Sequence, residues 1–199
     1  MTMLVSGEAV PRGGGGHSES SFPLSPREIL TWLIMTGIAM LFAGFTSAYI
    51  VLRGVPSWEH IQLPKLVWAN AVILLASSAA LELSRRAVKT DQIPAMRNWL
   101  TISAALGLTF VLGQFQAWRQ MTASGLGMSS TLHISFFYVF SGVHAVHILG
   151  VLIGLGIVLA KAYLGRLSAT NFDSLRLLAK YWHFMGGIWL YLLLLLFFM

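Results

Sequence analysis

Two histidines three residues apart, His144 and His147, lie in the middle of an apolar stretch. The stretch reads FFYVFSGVHAVHILGVLIGL over residues 136–155, which is long enough to cross a membrane as a helix. Side chains at this spacing lie on one face of a helix, and imidazole is a ligand of zinc, copper and haem iron. An unpaired ring nitrogen in hydrocarbon is costly, so we expect both side chains to face protein rather than lipid.

A metal site built on this pair would need a third ligand at the same depth. His183 is expected near the opposite membrane face, about 10 Å away in depth. We expect His60 and His133 to lie in loops outside the membrane. The alternative to a metal is that the two imidazoles form hydrogen bonds across helices to Gln114, Ser141 or other polar groups, and this is the interpretation we favour.

The composition is that of an integral membrane protein. Hydrophobic residues make up 56% of the chain, charged residues make up 10%, and the mean hydropathy is +0.73. The absence of cysteine excludes disulfides, thiolate metal sites and a cysteine nucleophile. The net charge of +6 is explained by membrane topology and by contact with anionic lipid head groups, so no nucleic-acid partner is expected.

Five apolar segments follow an amino-terminal stretch rich in glycine and serine. Residues 1–26 are therefore predicted to be a flexible cytoplasmic tail, and residues 27–199 a single five-helix membrane domain. The segments are each close to the roughly 20 residues needed to span a bilayer: 29–52, 66–83, 99–118, 135–160 and 181–198. The predicted fold is an all-α integral membrane bundle of five transmembrane helices.

Basic residues are distributed unequally between the two sides of this bundle. Ten of the 13 lysines and arginines fall in the tail and in the second and fourth loops. The other side has only Arg53, Lys65 and Arg119. The positive-inside rule therefore predicts a cytoplasmic amino terminus and a carboxyl terminus outside.

Glu82 is the acidic residue closest to the hydrocarbon, at the end of the second segment. It could pair with His183, which we expect near the same membrane face. The simpler interpretation is an ion pair within its own helix, because Arg85 and Arg86 follow at the i+3 and i+4 positions.

Two longer motifs resemble a known family. The run FFYVFSGVHAVHILG, followed near the carboxyl end by KYWHFMGGIWLYLLLLLFF, resembles subunit III of the haem–copper oxidases, the cytochrome c oxidase subunit III family. The signatures of that family are G-x-H-x-x-H on one helix and YWHF-x-x-x-x-W on the last helix, and both occur here in that order. The segments LFAGFTSAYIVLRG, LVWANAVILLASSAALE and GLTFVLGQFQAWRQ are similar to the short bacterial form with five helices.

The resemblance implies an accessory subunit of a terminal oxidase of aerobic respiration, in the bacterial cytoplasmic membrane. Such a subunit docks on the catalytic subunit I beside subunit II, binds phospholipid between its helices, and supports proton uptake and turnover stability. The haem and copper lie in the partner subunits, so no cofactor and no catalytic centre are expected in this chain. Membership of a larger respiratory supercomplex stays open. The resemblance implies packing and lipid-cleft roles for His144, His147, Tyr181, Trp182, His183, Trp189, Gln114 and Glu82.

The chain departs from the family pattern at two carboxylates. Many members carry a buried glutamate on the helix that corresponds to the first one here, where this chain has Ile38 or Ala39, and another where it has Ala117. A proton role that depends on those glutamates is therefore open. Two alternatives remain: the third subunit of a quinol oxidase or nitric oxide reductase, or a small transporter or metal exporter using the histidine pair.

Overall fold

The computed structural model describes residues 25–54, 64–128, 130–168 and 171–198. The described chain forms five helices, each long and apolar enough to cross a membrane. They are α1 (Pro26–Leu52), α2 (Lys65–Lys89), α3 (Ile93–Ala123), α4 (Leu132–Tyr163) and α5 (Asp173–Phe198). This confirms the predicted all-α architecture of five spans. Most of the predicted tail lies outside the described residues, but Ser25 and Pro26 form the N-cap and first residue of α1.

The helices extend beyond the apolar segments from which they were predicted. The largest shift of a single helix end is at the start of α5, which begins at Asp173, about two turns before the predicted start of the apolar segment. Arg176 and Lys180 lie in these added turns. Hydropathy identifies the part of a helix suited to hydrocarbon, whereas the backbone hydrogen bonds continue through the charged turns outside it.

Four of the helices form a closed ring, and the fifth lies beside it. The helix α2 packs on α3, α3 on α4, α4 on α5, and α5 back on α2, with the α2–α3 pair in most extensive contact. Within the described residues, α1 packs only on α4 and α5. The helix α1 is therefore peripheral, and its anchors must come from those two neighbours.

Small polar residues join α2 to α3. Ser77 donates from Oγ to the Ser103 carbonyl oxygen at 2.9 Å, and Ser103 donates from Oγ to the Ser77 carbonyl oxygen at 3.0 Å. Farther along, the Ser84 hydroxyl donates to the carbonyl oxygen of Met96 at 2.9 Å. Small side chains let the two backbones approach, and their hydroxyls bond to carbonyl oxygens that already accept within each helix.

Polar contacts anchor α1 to α5 at two levels. Near the amino end of α1, a Glu28 carboxylate oxygen lies 3.2 Å from the guanidinium of Arg176 and 3.4 Å from the ammonium of Lys180. Farther along, the Tyr191 hydroxyl donates to Oγ1 of Thr46 at 3.0 Å. These polar contacts join the peripheral helix to α5 at its amino end and farther along its length.

Candidate functional site

His144 lies in the core of the bundle, where four helices meet. Its side chain is almost fully buried, and its ring stacks on the indole of Trp189 from α5, with ring centroids 5.1 Å apart and planes at 28°. Phe42 of α1 and Phe110 of α3 approach the imidazole edge-on, at 6.4 and 6.3 Å between centroids. The first signature histidine is therefore packed by aromatic rings on three sides.

The predicted hydrogen bonds of His144 to Gln114 or Ser141 are wrong. Neither ring nitrogen of His144 has a hydrogen-bond partner among the described residues, and neither does the Gln114 amide. Ser141 is engaged elsewhere, because it accepts from Trp118 Nε1 at 3.0 Å and donates to the Phe137 carbonyl oxygen at 2.6 Å. The plane-to-plane stacking of the imidazole on the neighbouring indole fixes the direction of its nitrogens.

His147 has different surroundings, although it lies on the same helix. Its Nδ1 donates to the Val143 carbonyl oxygen at 2.8 Å, so the ring is satisfied within its own helix. The side chain is only partly buried and faces a groove at the surface of the bundle. The two histidines therefore belong to two sites, one in the core and one at the groove. Within the described residues, no three His, Cys, Asp or Glu side chains converge as metal ligands.

Trp182 of the second signature packs against a glycine of α3. Its indole is fully buried, and a Cβ placed on Gly107 would lie 2.7 Å from an indole carbon. A side chain at that position would force the indole to move. Gly107 therefore leaves the space on α3 that the Trp182 indole fills from α5.

The remaining signature residues lie on the surface of the bundle. His183 is exposed on α5, and Tyr181 lines the same groove as His147. Glu82 is bound by Arg85, at 2.8 Å from each carboxylate oxygen, and by Arg86 at 3.5 Å. This confirms the ion pair predicted within α2. No hydrogen bond joins Glu82 to His183 in the described part of the chain.

We call the groove between α1, α4 and α5 the α1–α4–α5 groove. Its volume is about 570 Å³, and its lining is mainly apolar. The polar groups of the lining other than His147 and Tyr181 are Thr31, Lys161 and Ser174. All three lie near the end of the bundle that holds the amino terminus of α1, so the groove is amphipathic along its length. It is lined by Thr31, Ile34, Val146, His147, Gly150, Val151, Gly154, Ile157, Val158, Lys161, Ser174, Leu177, Leu178 and Tyr181.

His133 was expected in an outer loop, and this expectation is wrong. It lies in the first turn of α4, where it is buried and its Nε2 lies 3.3 Å from the Tyr49 hydroxyl of α1. The signal that could have found it is Thr131, the N-cap of α4, whose side chain accepts from the Ile134 amide. The pair ties the far end of α1 to α4. His60 lies outside the described residues.

Comparison with known proteins identifies the family to which this chain belongs. The profile of the family "Cytochrome c oxidase subunit III" matches residues 32–199. A cytochrome c oxidase subunit 3 of Thermostichus vulcanus is 30% identical over 167 residues, which is 80% of this chain and 80% of the relative. One from Synechocystis sp. is 28% identical over 171 residues, 83% of this chain and 72% of the relative. A probable cytochrome c oxidase subunit 3 of Mycobacterium tuberculosis is 27% identical over 175 residues, 85% of each chain. The chain belongs to the cytochrome c oxidase subunit III family.

Proposed function

We propose that this chain docks on the catalytic subunit of a respiratory cytochrome c oxidase, beside subunit II, and stabilises it by packing and by bound lipid. The observation that carries the proposal is the family match over residues 32–199, which includes both signatures. Members of this family carry no haem or copper of their own. The oxidase reaction accordingly belongs to the complex, and this chain contributes structure.

The proposed orientation has the amino end of the bundle in the cytoplasm of a bacterial cell. The support is the distribution of charge along the described helices. The end that holds the start of α1 carries Arg27, Arg85, Arg86, Lys89, Arg97, Lys161, Arg166, Arg176 and Lys180, whereas the opposite end carries Arg53, Lys65 and Arg119. The positive-inside rule assigns the richer end to the cytoplasm.

The α1–α4–α5 groove is the proposed lipid site. The stretch of α4 from Val146 to Lys161 that lines it is about 22 Å long, close to the length of a lipid tail with its glycerol. The ammonium of Lys161 stands where a phosphate of the cytoplasmic leaflet would lie, with the hydroxyl of Ser174 also at that end. A phospholipid with its head group at the cytoplasmic end fits both the length and the polarity.

A substitution that fills the groove tests the lipid site. A Cβ on Gly150 would meet no atom within 4 Å, and Gly150 lines the groove, so Gly150→Leu places its side chain in the groove. Gly156 is equally open on the same helix but does not line the groove, which makes Gly156→Leu the matched control. Phospholipid counted in the purified oxidase should fall in Gly150→Leu and stay unchanged in Gly156→Leu. Equal lipid content in the two variants would refute the site.

Support of proton uptake and of turnover stability completes the proposed role. The position of the family glutamate on α3 holds Ala117, which is buried, and on α1 the candidates are Ile38, which is buried, and Ala39. These side chains have no proton to transfer. The proposed contribution to proton uptake is therefore indirect. It acts through bound lipid and through packing around the catalytic subunit.

The first experiment is purification of this chain from its native membrane in mild detergent, with visible spectra and subunit masses read together. Co-purification of haem, a large subunit and a copper-binding subunit II would support the accessory role with cytochrome c as electron donor. Haem without a copper-binding subunit II would favour a quinol oxidase or nitric oxide reductase instead. A colourless oligomer of this chain alone would overturn the proposal and reopen a transport role.

A further inference from the structure

Three helices direct unpaired polar side chains into the core at one level. They come from Gln114 on α3, His144 on α4 and Trp189 on α5, and we call them together the core polar site. All three side chains are at least nine-tenths buried, at 2%, 1% and 3% exposed. The two amide atoms, the two imidazole nitrogens and the indole N–H have no hydrogen-bond partner among the described residues.

Contacts on either side fix the position of Gln114 relative to His144. One turn before Gln114, the ring of Phe110 packs on His144. One turn after Gln114, the indole of Trp118 donates to Ser141, which lies one turn before His144 on α4. Residues four apart lie on one face of a helix. Gln114 therefore faces α4 at the level of His144, and the amide and imidazole are opposite each other without bonding directly.

The rings around the site cannot satisfy these polar atoms. The rings of Phe42 and Phe110 pack against His144 in T-shaped contacts. Phe110 also packs edge-on against Trp189, at 5.4 Å between centroids. Neither phenylalanine ring offers these atoms a conventional hydrogen-bond partner. His147 shows the alternative on the same helix, since its Nδ1 bonds to a backbone carbonyl, but the stacking on Trp189 holds the His144 ring in another direction.

We propose that the core polar site binds ordered water, with at least one molecule bridging the Gln114 amide to the His144 imidazole. A buried polar group without a partner is costly in a membrane interior, where no bulk water can reach it. A buried water needs two to four polar partners, and donors and acceptors of the required kinds converge here from three helices. The bound water would join α3 to α4 at the first signature.

An experimental density map of the intact oxidase, at a resolution that shows ordered water, tests the site. The expected result is a water peak within hydrogen-bond distance of a His144 nitrogen and of the Gln114 amide. A dry contact, or side chains that have turned to bond each other or the backbone, would overturn the proposal.

A pair of variants on one helix extends the test. Gln114→Met keeps the length of the side chain and removes its polar atoms, and the water peak should be lost. Gln116 is exposed on α3, so Gln116→Met should keep the peak. A peak that survives in Gln114→Met would show that this amide does not hold the water. If Gln114→Met fails to assemble, the map of the unmodified complex decides alone.

Discussion

His144 and Trp189 stack with their ring centroids 5.1 Å apart and their planes at 28°. The two residues come from the two family signatures, one on α4 and one on α5, so sequence motifs far apart in the chain meet as one contact. Aromatic pairs of this kind add about 0.5 to 1.5 kcal/mol beyond the area they bury. The two signatures therefore meet in a ring contact where α4 packs on α5.

The stacking predicts the behaviour of two His144 variants. His144→Ala should weaken folding by roughly 2 to 4 kcal/mol, because it leaves a cavity among four helices. His144→Phe should recover part of that loss, since it keeps an aromatic ring that can pack on Trp189. The measurement is retention of the chain in the purified oxidase on mild heating, with the haem spectrum recorded alongside. A lost haem or copper signal with the subunit still bound would contradict a purely structural role.

Contacts within one helix could be predicted from the sequence, whereas contacts between helices could not. The pair Glu82–Arg85 follows from helical spacing alone, and the structure contains it. The contact between Tyr49 and His133 depends on α1 lying beside α4, and nothing in hydropathy selects the neighbours of a helix. A lipid cleft between helices was expected from the family resemblance, but its location could not be predicted, because the groove exists only where α1 packs on α4 and α5.

The close packing of Gly113 against Asn70 predicts that a side chain at position 113 destabilises the α2–α3 pair. A Cβ at this position of α3 would collide with the side-chain amide of Asn70 on α2, which is itself buried. Gly113→Ala should therefore destabilise the α2–α3 pair by about 1 to 3 kcal/mol, the usual penalty of overpacking. The measurement is the free energy of unfolding in a denaturing detergent titration.

The collision can be checked by removing its other partner. The double variant Gly113→Ala with Asn70→Ala should recover most of the stability lost in the single glycine variant, since the new methyl group then meets no amide. Gly37→Ala is the control for helix propensity, because a Cβ there meets nothing within 4 Å. Additive losses in the double variant would show that the amide is not the obstacle.

The reciprocal hydroxyl contacts of Ser77 and Ser103 predict small, equal losses. Each alanine variant removes one hydroxyl donor between α2 and α3, for which about 0.6 kcal/mol is the membrane average, and the double variant should lose about twice as much. Thr109→Ala is the control, since that exposed hydroxyl bonds within its own helix. The same detergent titration measures all four proteins. If Thr109→Ala loses as much stability as Ser77→Ala, the loss comes from removing a hydroxyl from a helix and not from breaking the contact between α2 and α3.

The ion pairs of Glu28 predict that this residue holds the amino end of α1 against α5. It bridges the start of α1 to Arg176 and Lys180 of α5, and few other contacts fix that end of α1. Glu28→Gln removes the charge, so backbone amides in the first turns of α1 should exchange hydrogen faster, while those of α2 and α3 keep their rates. Asp173→Asn is the control, because Asp173 also pairs with Arg176 but lies on α5 itself and does not link α5 to α1. Faster exchange of α1 in Asp173→Asn, or none in Glu28→Gln, would assign the anchoring of α1 to its apolar contacts and to Tyr191.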